Sequence, residues 1–279
     1  MKVIKVHFLI LLSFLPSLGL AQVTFEESRK ASIVIGKWLS KATSHQDFLS
    51  ATSVATKRAG SKFFGIPDMQ MASDYGYSYA ATPRDQAVTE AYETIGVNSS
   101  QMSSSLALSR FHLNLGFNNK HDFTFSYLTS PIDEVRGWGV GYKRVVSHVG
   151  YFYLTYRLHY AQAEKNDYFE SSTMTNDLSV SVYLRLIDLY AGVRHSSGKV
   201  NFQSSMRELK LPEVSYFSTM SEIEKYGGVV LALTTNSRLT LEVSTLGEAT
   251  FVAGKLSMHF DSILPTNTQW FQDPRLIKQ

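Results

Sequence analysis

The sequence predicts an all-β protein: an antiparallel transmembrane β-barrel of about ten strands with a short N-terminal helical or irregular segment ahead of it. Three observations carry this. Apolar residues alternate with small or polar ones, with a period of two, in segment after segment. Past the first residues no apolar stretch is long enough to span a bilayer as a helix, so a membrane form of this chain must cross by strands. The connections between the alternating segments also sort by length, short at one end and longer at the other.

Composition points the same way. Among 279 residues there are 15 Tyr and 17 Phe against 7 Pro and no Cys, a strand-favouring inventory with no disulfide framework. A formal net charge of +3, with no Lys/Arg tract, gives no basis for nucleic-acid binding. No cofactor motif is apparent, because no phosphate-cradling glycine loop occurs. Gly137, Gly139 and Gly141 alternate within a strand pattern, where glycine relieves crowding or permits curvature.

The chain divides into four parts. Residues 1–21 resemble a secretory signal peptide, with Lys2 and Lys5 before an apolar run from Val6 to Leu20 and cleavage near Ala21. Residues 22–72 are an N-terminal periplasmic or plug segment. Its composition is broadly helical, from Glu26, Glu27, Arg29 and Lys30 through Leu39 and Phe48, but its periodicity is imperfect, so an irregular leader is the default expectation. Residues 73–260 are the barrel, and residues 261–279 form a tail.

Within the barrel, Tyr75, Tyr77 and Tyr79 share the first face. Phe111, Leu113, Leu115 and Phe117 oppose Arg110, His112 and Asn114, and Asn118 and Asn119 turn into Phe123, Phe125 and Tyr127. Trp138, Val140 and Tyr142 follow. Next, Phe152 to Tyr160 oppose Tyr153, Thr155, Arg157 and His159. Leu178 to Leu184, Leu189 to Val193, Val229 to Leu233 and Leu239 to Val243 repeat the scheme. Short turns are expected at Asn118 to Lys120, Ser147 to His148, Ile187 to Asp188 and Asn236 to Ser237. Longer loops are expected at Pro83 to Ser105, Ser130 to Val135, Gln162 to Asn176 and Phe202 to Glu224, with Gly247 the short exception at that end.

Alternation alone would also suit a soluble calyx with its apolar face inward. The opposite face decides between them, because it is Ser, Thr, Gly and Tyr with isolated cations rather than a dense water-facing set of Lys, Glu and Asp. Trp138, Tyr142 and Tyr160 fit interfacial girdles. The last strand, Gly247 to Phe260, places Val252, Gly254, Leu256, Met258 and Phe260 on one face. That run resembles the closing signal of Gram-negative outer-membrane β-barrel proteins. The resemblance implies an insertion signal at Gly254, Leu256, Met258 and Phe260, an outer-membrane location, and contact with outer-membrane lipid, lipopolysaccharide and the barrel-insertion machinery. The tail after Phe260 departs from the pattern, which commonly stops at the closing aromatic.

On this register the lumen is lined by Arg110, Lys143, Arg157, Arg185, Arg194 and Lys255, with Glu242 the one acid among them. Unmatched buried cations are costly. Two readings follow: a narrow passage for small or anionic solutes, or a filled barrel in which acids of the N-terminal segment or loops, such as Glu26, Glu27, Asp47, Glu164 or Asp167, fold in as partners. The expected function is therefore non-enzymatic, either that passage or a structural envelope barrel with external loops. The alternative rests on His195 and Ser197, two apart on a strand and so on one face. That pair is similar to the His and Ser of outer-membrane lipid A deacylases, which implies a lipid-acting hydrolase, although Gly198 stands where an asparagine normally follows the serine. His112, His159 and His259 share the interior face, and no histidine spacing suggests a metal site.

Overall fold

In the computed structural model the described residues are 25–45, 71–95, 104–117, 120–129, 135–165, 169–184, 186–204, 214–234, 236–246 and 249–260. The signal-like residues 1–21, the turn at Asn118 and Asn119, and the tail 261–279 lie outside them. Ten strands run β1 (Met71–Pro83), β2 (Ser105–Phe117), β3 (His121–Thr129), β4 (Val135–Val149), β5 (Phe152–Lys165), β6 (Phe169–Leu184), β7 (Ile187–Ser204), β8 (Val214–Ala232), β9 (Ser237–Leu246) and β10 (Ala249–Phe260). Each pairs antiparallel with its sequence neighbours, and β1 pairs with β10, so the sheet closes into a barrel and leaves no edge.

The faces sort by chemistry. Tyr77, Phe111, Phe125, Val140, Leu178, Val180, Leu189, Leu241, Val252 and Leu256 are exposed on the outside. Their strand neighbours Ser78, Arg110, Ser126, Ser179, Arg194, Thr240, Glu242 and Lys255 are buried inside. An apolar exterior around a polar interior is the arrangement hydrocarbon demands and the reverse of a soluble calyx, so this is a transmembrane barrel. Trp138 packs on Tyr160 towards the long-connection end, and Tyr142 packs on Phe123 towards the other.

Two expected loops are largely strand. β5 and β6 pair through Lys165 and Phe169 where a loop from Gln162 to Asn176 is expected, and β7 and β8 pair through Ser204 and Val214 where one from Phe202 to Glu224 is expected. These hairpins continue past the apolar belt, and there Gln162, Glu170, Ser172, Lys199 and Thr219 take the outward positions. Once the outward residues are polar, alternation no longer marks the strand. The turn expected at Ser147 and His148 is instead a β-bulge at Val145/Ser147, and the chain reverses at Gly150, whose φ of 59° is open to glycine at no cost. The turn expected at Ile187 and Asp188 falls earlier, so both residues belong to β7.

Helix α1 (Phe25–His45) replaces the irregular leader, and it stands inside the barrel. Glu26 and Glu27 suit the positive end of the helix dipole, and Glu26 pairs with Arg29 and Lys30 one turn on. Ala31, Ile35, Leu39 and Ala42 form a stripe that packs on the inward residues Leu106, Leu108, Leu128, Val135, Ala163, Phe169, Val200 and Met220 from seven strands. Helix α2 (Gln86–Thr94), capped by Asp85 accepting from the Val88 amide, packs on α1 through Ala91 and an edge contact of Tyr92 with Trp38. The Trp38 indole donates to the Pro83 carbonyl at the rim (3.0 Å). The β-branched run Ile33 to Ile35 is as compatible with a strand locally; the apolar sleeve around it selects the helix.

Candidate functional site

The lumen has two layers. Towards the long connections it is apolar and occupied by α1; below that it is charged. The charged layer is built by strand register. Asp122, Lys143, Arg157, Asp177, Arg194 and Glu224 stand directly opposite one another across β3 to β8, all on inward positions. Apart from the adjacent Lys143 and Arg157, the signs alternate, the favourable arrangement for cross-strand pairs.

The contacts follow from that ladder. Lys143 Nζ lies 2.8 Å from Asp122, and Arg157 Nη2 lies 3.0 Å from Asp177. Arg194 is held by Glu242 of β9, two strands on, at 2.5 Å, with Glu224 at 3.6 Å and Asp177 at 3.7 Å. Two phenols complete the cluster: Tyr190 donates to Glu242 (2.9 Å) and Tyr226 to Asp177 (2.7 Å). Tyr226 also accepts from Arg157 at 3.1 Å, and its ring centroid lies 4.1 Å from the Arg194 guanidinium carbon. Glycines make room for these rings. A Cβ on Gly192 would lie 2.5 Å from the Tyr226 hydroxyl and one on Gly228 would lie 2.4 Å from Tyr190, each glycine being the cross-strand partner of the ring it accommodates. Gly139 and Gly141 similarly border His159, the crowding relief expected of them.

A second group lies on β1, β2 and β10. Asp74 accepts from Asn114 at 2.9 Å, with Lys255 at 3.7 Å, and Thr124 donates to Asn114 at 2.7 Å. The Ser78 hydroxyl lies 2.6 Å from His112. Arg110 donates to Ser126 (3.1 Å) and to the carbonyl of Thr43 in the last turn of α1, so a guanidinium from the wall meets the negative end of the helix dipole.

Arg110, Lys143, Arg157, Arg194 and Lys255 are thus all buried inside, and Arg185 lies outside the described residues. The expectation that Glu242 stands alone among them is wrong. Asp74, Asp122, Asp177, Asp188 and Glu224 are buried on the same inner wall, so the acids come from the strands themselves. Glu26, Glu27 and Glu164 are exposed, and Asp47 and Asp167 lie outside the described residues. One signal could have found Asp177 and Glu224: counting the period of two outward from Leu178 and back from Val229, beyond the last apolar residue, puts both inside.

His195 and Ser197 both lie on the outer face of β7, but they are not a pair. His195 Nε2 lies 3.0 Å from the hydroxyl of Ser221 on β8. Its cross-strand neighbours are Asn176 and Ile223, so no carboxylate adjoins it in the ladder. Of the closing-strand residues, Gly254, Leu256 and Met258 alternate with buried Ala253, Lys255 and Ser257, whereas Phe260 is buried with its ring 5.9 Å from Tyr75. Among the described residues no group of three His, Asp or Glu is placed to hold a metal ion.

No protein-family profile matches the chain, and no curated protein matches it by sequence. Solved structures do resemble it. The KdgM porin in complex with disordered oligogalacturonate is 9% identical with a TM-score of 0.36, over 67% of this chain and 98% of that one. Ail, the attachment invasion locus protein of Yersinia pestis, is 11% identical with a TM-score of 0.30, over 69% and 99%. The outer membrane protease OmpT from Escherichia coli is 7% identical with a TM-score of 0.36, over 69% and 95%. At such identities the likeness concerns the fold alone. The chain resembles Gram-negative outer-membrane β-barrels as a class, and its own closed sheet, apolar outside and charged within, is what establishes it as a membrane barrel.

Proposed function

We propose that the protein is a sealed envelope barrel of a Gram-negative outer membrane, non-enzymatic, which presents external hairpins and does not conduct solutes. One observation carries this reading: α1 occupies the apolar upper lumen, and the layer beneath it is closed by cations matched to carboxylates. A passage selective for anions needs cations that are free to meet solute. Arg157, Arg194 and Lys143 are instead committed to Asp177, Glu242 and Asp122. Outer-membrane lipid, lipopolysaccharide and the insertion machinery are the partners this reading implies.

The deciding experiment is conductance in a planar bilayer under a salt gradient, on protein shown to be inserted and folded. Silence is expected. Stable, anion-selective steps that weaken on replacing Arg157 would overturn the reading in favour of a passage. The contact between His195 and Ser221 supports a second, hydrolytic reading, with Ser221 rather than Ser197 as nucleophile. Ester hydrolysis by the wild type that disappears in Ser221→Ala would establish it.

A further inference from the structure

The direction in which α1 runs through the barrel determines which side of the membrane receives its N-terminal end. Its contacts deepen steadily along the helix. Glu26, Glu27 and Lys30 are exposed. Trp38 bonds to Pro83, the last residue of β1 at the long-connection rim. Ser40 lies 3.3 Å from Thr173, four residues below the rim on β6, and Lys41 lies over the Phe251 ring near the start of β10. Thr43 meets Arg110, five residues below the rim on β2, and Leu39, Ala42 and Thr43 are buried. The helix therefore enters from the long-connection mouth and points its C-terminal end at the charged layer. Electrostatics favours that sense, because the negative end of the dipole meets Arg110; reversal would bring the positive end against it. The next described strand starts at the opposite rim, where Met71 pairs with Phe117.

We infer that α1 is inserted from outside the cell, so that its first turns, bearing Glu26, Glu27, Arg29 and Lys30, form an extracellular surface together with α2, while β1 begins on the periplasmic side. This rests on the outer-membrane reading above, in which the longer connections face outward. Helix α1 is then a displayed element whose stem closes the lumen, not a periplasmic one. α2, packed on α1 through Ala91 and Tyr92, holds the stem at the mouth.

The chain has no cysteine, so single introduced thiols report position without background. Three full-length variants are labelled on intact cells with a membrane-impermeant maleimide, and again after permeabilisation: Glu27→Cys at the exposed end of α1, Glu170→Cys on the β5–β6 hairpin, and Tyr151→Cys at the opposite rim. All three positions are exposed, and the folding of each variant is checked by its heat-modifiable migration on a gel. The expected result is labelling of Glu27→Cys and Glu170→Cys on intact cells and of Tyr151→Cys only after permeabilisation. Labelling of Glu170→Cys alone on intact cells would overturn the inference and leave the barrel's orientation standing. Labelling of Tyr151→Cys but not Glu170→Cys on intact cells would overturn the orientation, and the inference with it.

Discussion

If the lumen is sealed by matched charges in a dry environment, removing one carboxylate should be expensive, and Glu242 is the place to test it. Its side chain is buried and accepts from Arg194 at 2.5 Å and from Tyr190 at 2.9 Å. Without its charge, Arg194 loses its shortest carboxylate contact, while Glu224 lies at 3.6 Å and Asp177, which Arg157 and Tyr226 already engage, at 3.7 Å. Breaking a buried pair from one side costs about 3–5 kcal/mol, because the remaining charge stays desolvated. Glu242→Gln, which keeps the shape but replaces one of the two accepting oxygens by a donating amide NH2, should cost about 3 kcal/mol, and Glu242→Ala about 5 kcal/mol. The assay is reversible urea unfolding in lipid vesicles followed by tryptophan fluorescence, with Arg194→Met added to Glu242→Gln to show that removing both charges recovers part of the loss. A cost below about 1 kcal/mol for Glu242→Gln, the range of solvent-exposed pairs, would refute the argument. It would mean that water screens the pair, and a hydrated lumen would restore the passage as the better reading.

Three further outcomes follow from named contacts. Gly192→Ala puts a methyl 2.5 Å from the Tyr226 hydroxyl and 2.6 Å from the Leu178 carbonyl, so the same unfolding assay should register a loss of about 1–3 kcal/mol; Gly227→Ala, whose nearest neighbour is 3.6 Å away, should stay within about 0.5 kcal/mol. Ser40→Cys with Thr173→Cys, at positions whose hydroxyls lie 3.3 Å apart, should oxidise to a disulfide that consumes both thiols, and thiols that stay free under oxidant would contradict the placing of α1 in the lumen. On the outer wall, Ser221→Ala should leave folding and insertion unchanged, since its hydroxyl bonds an exposed histidine and supports no buried group; a large loss of folded yield would show a structural role.

The fold was legible because the membrane writes its pattern into the sequence. Where hydrocarbon surrounds a strand, every second residue must be apolar, so Phe111 to Phe117, Leu178 to Leu184 and Val252 to Met258 declare themselves. Where the same strands leave the bilayer the constraint is lifted, and Gln162, Glu170 and Lys199 look like loop residues although their backbones stay paired. α1 was obscure for a related reason. Its partner is a sleeve of inward residues drawn from seven strands, and the small residues Ser28, Ser32 and Ser40 on its buried face blur any apolar stripe.

The same lifting of the constraint at the margins of the belt hides the acids that surround the inward cations. Arg157 lies between the outward Tyr156 and Leu158, Lys255 between Gly254 and Leu256, and Arg110 just before the run from Phe111 to Phe117, so the pattern fixes their face. Asp177, Asp188 and Glu224 lie at the limits of the recognised runs, where a strand assignment that stops with the last apolar residue leaves them in a turn or a loop. The bias is systematic. Cations read from mid-belt positions and acids lost at its margins make a balanced interior look like a basic channel. An open pore proposed from alternation alone therefore needs its strands extended past the belt before charges are counted. Here that extension supplies Asp177 for Arg157 and Glu224 for Arg194, and it turns the argument from conduction towards closure.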